Sequence, residues 1–134
     1  MQKDELPTLR RGDRNEAVRE LQTKLTELGF TTKGVDGTFG ANTEAALRAF
    51  QKERDLVPDG ICGAKTWAEI YAFAPYNVLI NVNVLNVRIG PSTGTAIKGQ
   101  ARKGEKATVV WQLSNWGKLK DGAGWICLDY VKKI

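Results

Sequence analysis

Asp36-Gly37-Thr38-Phe39-Gly40-Ala41-Asn42-Thr43 recurs 23 residues later as Asp59-Gly60-Ile61-Cys62-Gly63-Ala64-Lys65-Thr66, and both copies fit D-G-x-x-G-A-x-T. An internal repeat of this kind governs how the surrounding chain is read. Asp-Gly specifies a tight turn, because Gly tolerates positive φ. The second Gly suits an N-cap, and the residues after it suit a first helical turn. Thr43 and Thr66 then fall near the third helical position, where a hydroxyl can reach back to the cap. The repeat is a turn that launches a helix, used twice. The same residues are also fully explained as two well-made helix starts and nothing more.

Upstream of the first copy, Pro7 to Gly12 reads as an extended lead-in, and Asp13-Arg14-Asn15-Glu16 reads as a D-x-x-E capping box. Val18, Leu21, Leu25 and Leu28 form one apolar stripe, with Glu20 and Lys24 an i,i+4 pair on the other face. Gly29 ends this helix in the left-handed conformation, with Phe30 against Leu25. A second helix is expected over residues 41–54 with Ala46, Leu47 and Phe50 inward. A third, over 64–71, carries Trp67 and Ile70. The duplication reaches further back: Val18-Arg19-Glu20-Leu21-Gln22 matches Leu47-Arg48-Ala49-Phe50-Gln51 as apolar-Arg-x-apolar-Gln. The pattern implies a pseudo-symmetric three-helix domain over residues 1–74.

A short boundary with one proline, Ala72 to Asn77, separates this half from a second domain over 75–134. From Val78 the period becomes alternating. Strands are expected from Val78 through Ile89, over 97–101, 107–113, 116–120 and 125–128, with a loop at Gly90–Gly94 and turns at Lys103–Lys106 and Asp121–Gly124. Short strands at this spacing read as a small all-β barrel or sandwich.

The 20 Lys+Arg and 15 Asp+Glu are unevenly divided. Residues 1–75 hold 11 basic and 12 acidic side chains, a net −1, and residues 76–134 hold 9 and 3, a net +6. The basic half favours an anionic polymer through an attraction that salt weakens. Histidine is absent, which removes the commonest general base, the Ser-His and Cys-His pairs, and histidine zinc ligands. A mechanism with two carboxylates survives on paper, but the carboxylates mostly occupy helix starts and exposed helix faces. No catalytic residue, metal site or cofactor is assigned. Cys62 and Cys127 lie far apart without metal-ligand spacing and read as buried free thiols. No 18-residue apolar run is present, so no membrane span is expected. The polar start, Met1 to Leu6, lacks an apolar signal core, which points to synthesis in the cytoplasm and another route of release, or to a chain that is a piece of something larger.

The run Leu21-Gln22, Leu25, Leu28-Gly29-Phe30, the two D-G-x-x-G turns with their threonines, Phe50-Gln51 and Thr66-Trp67 resembles the peptidoglycan-binding domain of bacterial and phage wall hydrolases. The resemblance covers residues 9–71, with Ala41 and Ala64 where that family often has Pro. Leu85-Asn86-Val87-Arg88-Ile89-Gly90-Pro91-Ser92, Lys103-Gly104, Trp116-Gly117-Lys118-Leu119 and Gly124-Trp125-Ile126 resemble a bacterial SH3-like domain, from about Val78 to Val131. Ile89 departs from the small or polar residue usual there. The resemblances imply an all-α three-helix bundle followed by an all-β SH3-like barrel. They also imply a non-catalytic anchor that binds peptidoglycan, glycan or peptide stem, at the cell wall, as the targeting part of an endolysin or autolysin. Anionic wall polymers such as teichoic acids are a further expected partner, and nucleic acid is not. The alternatives are a protein-interaction module and a carboxylate-dependent glycan hydrolase.

Sugars and stem peptides are held by aromatic faces and directed hydrogen bonds. In the β half, Trp111, Trp116, Trp125 and Tyr130 offer faces, and Asn86 and Arg88 offer hydrogen bonds. A small β core needs at least two of the three tryptophans, so Trp116 and Tyr130 are expected to be the exposed pair. In the helical half a groove is expected beside the launching turns, lined by Gly37, Thr38, Asn42 and Thr43.

Overall fold

A computed structural model describes residues 6–134, so the polar start at residues 1–5 lies outside the described residues. The chain forms two compact units that divide between Phe73 and Ala74.

The first unit holds three helices, α1 (Glu16–Glu27), α2 (Ala41–Glu53) and α3 (Ala64–Ile70). The apolar stripe of α1 is its buried face: Val18, Leu21 and Leu25 are fully enclosed. Each such side chain contributes roughly 2 kcal/mol on burial. Leu47 and Phe50 of α2, Trp67 and Ile70 of α3, and Phe39 from the first turn complete the core. α1 ends as the sequence predicts: Gly29 has φ 93, its N–H donates to Thr26 O at 3.1 Å, and Phe30 N–H donates to Leu25 O at 2.8 Å. That is a Schellman closure, which satisfies carbonyls the helix leaves unpaired. The Phe30 ring meets Phe50 edge-on, 5.7 Å between centroids.

Three local expectations are corrected. The N-cap of α1 is Asn15, whose side chain accepts from Val18 N–H at 2.9 Å, and not Asp13. Arg14 is held extended in a β-bridge with Thr38, so the helix cannot begin before it. Asp13 instead closes a turn by accepting from Arg10 N–H at 3.0 Å. Glu20 does not pair with Lys24. It accepts from Tyr71 Oη at 2.8 Å, and Lys24 lies 3.7 Å from Glu27. The unit is also not purely helical, since a second bridge joins Leu9 to Cys62.

The second unit is one antiparallel sheet of seven strands: β1 (Tyr76–Ile80), β2 (Val84–Arg88), β3 (Ile97–Arg102), β4 (Lys106–Leu113), β5 (Trp116–Leu119), β6 (Gly124–Cys127) and β7 (Val131–Lys133). The order across it is β3-β2-β6-β5-β4-β1-β7. Short 3₁₀ turns at Lys120–Gly122 and Leu128–Tyr130 flank β6. Val78, Ile80, Leu85, Val87, Val109, Val110, Leu119 and Ile126 form the core. Of the expected SH3-like barrel, the all-β antiparallel sheet forms but does not close. β4 uses its edges for β1 and β5, so β3 pairs only with β2, β7 pairs only with β1, and the sheet stays open between them. The expected run from Val78 through Ile89 breaks at Asn81–Asn83, and β7 was not foreseen. Among the described residues no helix is long and apolar enough to cross a membrane.

Candidate functional site

The helical unit is organised by one side chain per repeat. Gln22, on the inner face of α1, is 1% exposed. Its Oε1 accepts from Asp36 N–H at 3.0 Å and Gly37 N–H at 2.9 Å. Its Nε2 donates to Asp36 Oδ1 at 3.0 Å, Thr38 O at 2.9 Å and Thr43 Oγ1 at 2.9 Å. Gln51 on α2 does the same for the second copy. It accepts from Gly60 N–H at 3.1 Å and donates to Asp59 Oδ1, Ile61 O and Thr66 Oγ1 at 3.1, 2.9 and 3.2 Å. The partner arginines are duplicated too, Arg19 donating to Val35 O at 3.2 Å and Arg48 to Pro58 O at 3.3 Å. Thus apolar-Arg-x-apolar-Gln is the clamp for the D-G-x-x-G-A-x-T turn it precedes.

The clamp engages two of the expected helical-half site residues, Gly37 and Thr43. Gly37 is buried with φ 78 and its N–H is taken by Gln22, so it serves the turn. Thr43 is 2% exposed, and its hydroxyl faces Gln22 rather than reaching back to a cap. Gly40 and Gly63 are the N-caps, both extended, neither with a side-chain cap bond. A recess of about 170 Å³ does lie beside the first turn, lined by Thr38, Asn42 and Thr43 together with Thr32, Lys33 and Asp36. Of its lining, Lys33, Asp36, Ala41 and Asn42 are exposed, and Thr38 and Gly40 are half-buried. The Asp36 carboxyl is held below its ordinary value, first by the Thr38 N–H and next by the Gln22 amide. The buried Gln22 and Thr32 and the exposed Lys33 and Asp36 also line this recess and lie outside the expected set. The duplicated glutamine was the available signal, because a polar residue repeated on an apolar helix face needs a buried partner.

The β unit gathers its four expected residues in one place. Asn86 and Arg88 lie two apart on β2 and share a face, while Leu85 and Val87 turn to the core at 5% and 8% exposure. Trp116 opens β5, and Tyr130 ends the 3₁₀ turn after β6. All four line a groove of about 330 Å³, with Val84, Thr93 and Cys127 completing its wall. Tyr130 is 48% exposed and Trp116 half-buried, while Trp125 is buried and Trp111 half-buried. Trp125 lies under the Lys118 ammonium, 5.9 Å from the ring centre.

The groove's polar groups are held from behind. Arg88 Nη1 donates to Thr95 O at 2.8 Å, and Thr95 Oγ1 donates to Gly90 O and Ser92 O at 3.0 and 2.8 Å, so Arg88 is anchored to a folded loop. Among the described residues, the guanidinium's Nε and Nη2 have no partner. Asn86 Oδ1 accepts from Gln100 Nε2 at 3.3 Å, which ties Asn86 to β3. Two aromatic faces, one amide and one guanidinium can stack on a sugar or amide plane and bond hydroxyl, carbonyl or carboxylate oxygens. They supply no nucleophile–base pair. A larger cleft of about 480 Å³ lies elsewhere on the sheet, beside β3, and carries no aromatic side chain. Cys127 is half-buried, which corrects its expected burial. Cys62 is fully buried, with its thiol pushed up by burial and by the nearby Asp59 charge. Among the described residues no cluster of His, Cys, Asp and Glu could hold a metal ion.

Comparison with known proteins follows the division into units. Residues 14–70 match a family described as "Putative peptidoglycan binding domain", and residues 83–132 match "Bacterial SH3 domain". The N-acetylmuramoyl-L-alanine amidase CwlM of Mycobacterium tuberculosis is 48% identical over 54 residues, 40% of this chain and 13% of that protein. The spore cortex-lytic enzyme of Bacillus cereus is 40% identical over 88 residues, 66% of this chain and 34% of that protein. Among solved structures, the SleB N-terminal domain is 43% identical, with 50% of this chain and 92% of that chain covered and a TM-score of 0.49. The chain spans about a third or less of these two curated relatives. Residues 14–70 are a domain of the putative peptidoglycan-binding family, and residues 83–132 are a bacterial SH3 domain.

Proposed function

We propose that this chain is a non-catalytic module that binds bacterial peptidoglycan and serves as the targeting part of a cell-wall hydrolase, working at the wall after release or export. The observation that carries this reading is the convergence of Asn86, Arg88, Trp116 and Tyr130 on one groove, in a chain that also holds a peptidoglycan-binding domain. Trp116 and Tyr130 would stack on the apolar faces of the glycan or on stem amides. Arg88 would take a stem carboxylate, and Asn86 a hydroxyl or carbonyl. In the helical unit Asn42 and Thr38 would add polar contacts beside the first turn, while Gly37 and Thr43 hold its shape. The basic charge of the β unit would add attraction to anionic wall polymers. Tethering two weak sites gives avidity when both engage the same wall.

Co-sedimentation with purified insoluble peptidoglycan tests the reading. The chain is expected in the pellet at low salt, with Arg88→Ala and Trp116→Ala each retained several-fold less. A chain left in the supernatant overturns wall binding. Clearing of a turbid wall suspension by this chain alone overturns the non-catalytic assignment.

A further inference from the structure

The open sheet leaves β3 with an unpaired outer edge. Five of its six residues pair with β2, Lys98 standing at a register shift, and the other side is unpaired; five of the six are exposed. Gly99, in the middle, has open space where a Cβ would stand. Beside this edge lies the 480 Å³ cleft, to which β3 contributes Gln100 and Ala101, and whose apolar lining includes Ile80, Val87 and Leu119. An unpaired strand edge next to apolar pockets is the arrangement by which an extended peptide is held, its main chain on the edge and alternate side chains in the pockets.

The charge around the edge selects the partner. Lys106 and Lys120 line the cleft, and Lys98 and Arg102 stand on β3 itself. The nearby acids are Glu105, whose carboxylate is engaged by Arg102 N–H at 2.9 Å, and Asp121. Positive side chains on an edge strand normally prevent pairing with another copy, because like charges meet. The same charges admit an acidic strand. A polyanion without apolar groups would use the cations but leave the apolar floor and the free main-chain groups unmet.

We propose that the β3 edge and its adjoining cleft are a docking site for an extended acidic peptide segment of a partner protein, added as an eighth strand. The site is separate from the aromatic groove and does not depend on wall binding.

The test is a ¹⁵N HSQC titration of the whole chain with a synthetic peptide of alternating glutamate and valine. Amide shifts are expected at residues 97–102 and 105–108. A peptide with lysine for glutamate should not shift them. The acidic peptide N-methylated at alternate residues should fail as well, since it keeps the charge but loses strand donors. Lys106→Glu with Lys120→Glu, both facing the cleft, should weaken binding about tenfold, as expected for two exposed charge pairs. HSQC dispersion confirms that this variant folds. The proposal is overturned by an absence of shifts at millimolar peptide, by equal binding of the N-methylated peptide, or by shifts confined to Asn86, Arg88, Trp116 and Tyr130. It is also overturned if inorganic polyphosphate reproduces the whole pattern, because charge alone would then suffice. Co-sedimentation with peptidoglycan is a separate readout, so either result can fail while the other stands.

Discussion

Gln22 Nε2 lies 2.9 Å from Thr43 Oγ1, and Gln51 Nε2 lies 3.2 Å from Thr66 Oγ1, so each repeat closes through the same glutamine–threonine pair. Removing the glutamine strands the groups it serves. Gln22→Leu leaves the Gly37 N–H and the Thr43 hydroxyl without their partner in a buried site, and each such group costs about 1–3 kcal/mol. The expected loss for the helical unit is about 3 kcal/mol, a large share of a small domain's stability. Gln22→Glu should be no better, because it sets a second oxygen against Asp36 Oδ1 and Thr38 O. Urea unfolding followed by far-UV circular dichroism measures both. A loss under about 1 kcal/mol for Gln22→Leu would show that the clamp is not needed.

The two glycines of one repeat copy make a matched pair of substitutions. Gly60 has φ 74, and an added Cβ would stand 3.0 Å from Arg48 Nε and from Glu44 Cγ. Gly60→Ala is expected to cost about 1–2 kcal/mol from the left-handed backbone alone. Gly63 has φ −100 and open space around it, and its extended geometry is that of an N-cap. Gly63→Ser should therefore gain a few tenths of a kcal/mol, because serine supplies the missing side-chain cap. Thermal melts of both variants give the ordering, and equal melting temperatures would contradict it.

The residues show why some of this was legible and some was not. The Asp-Gly turns and glycine caps announced α2 and α3 because their signals are local and written twice. The start of α1 was misplaced because Asp13 and Asn15 are both sound caps in sequence. Only the distant bridge between Arg14 and Thr38 chooses between them. Alternation marked β2 and β4, but not which strand each would adjoin. The open edge at β3 follows from β4 choosing β1 and β5, a non-local outcome. Asn86 and Arg88 were readable as groove residues because a period of two puts them on one face. The clamping role of Gln22 was not, since Thr43 lies 21 residues away and belongs to another helix.

Asp36 is expected to give the helical unit an acid-dependent part of its stability. Its folded carboxyl lies below the ordinary value of 3.8, held there first by the Thr38 N–H and then by Gln22. A depressed carboxyl contributes stability that is fully present above its unfolded value and is lost as pH falls through the folded one. The window therefore opens below about pH 4 and extends lower. Asp36→Asn keeps an oxygen that can accept from Thr38 N–H and removes the titration. Its stability should fall less steeply on acidification than that of the parent chain. Parallel slopes in urea midpoints between pH 5 and pH 2 would exclude Asp36 as the source.

Gly124 sets the approach of β6 to β2 and hence the placing of Arg88. It has φ 128, and an added Cβ would stand 2.5 Å from Val87 Cγ1 and 2.9 Å from Arg88 O. The backbone oxygen cannot move without moving β2, so Gly124→Ala strains the strand that presents Asn86 and Arg88. The expected cost is about 3 kcal/mol, at the upper end of what overpacking exacts. Loss of peptidoglycan co-sedimentation should accompany it. Ala123, one residue earlier and exposed, is the control, and Ala123→Ser should leave stability and binding unchanged.

The two cysteines offer a chemical test of where the wall binds. Cys62 is fully buried, and its thiol is pushed up by burial and the Asp59 charge, so little thiolate is present to react near neutral pH. Cys127 is half-buried and lines the groove beside Trp116. A disulfide reagent such as 5,5′-dithiobis(2-nitrobenzoate) should therefore label one thiol in the native chain and the second only after unfolding. Cys127→Ser should remove the fast reaction. The bulky aromatic group left on Cys127 then stands where a ligand would lie, so labelled chain should co-sediment with peptidoglycan several-fold less. The Cys127→Ser chain, which keeps the groove open, should bind as the parent does. Peptidoglycan added first should slow the labelling. If labelled and unlabelled chains sediment alike, the wall does not bind in this groove, and the binding residues must be sought beside Asn42 in the helical unit.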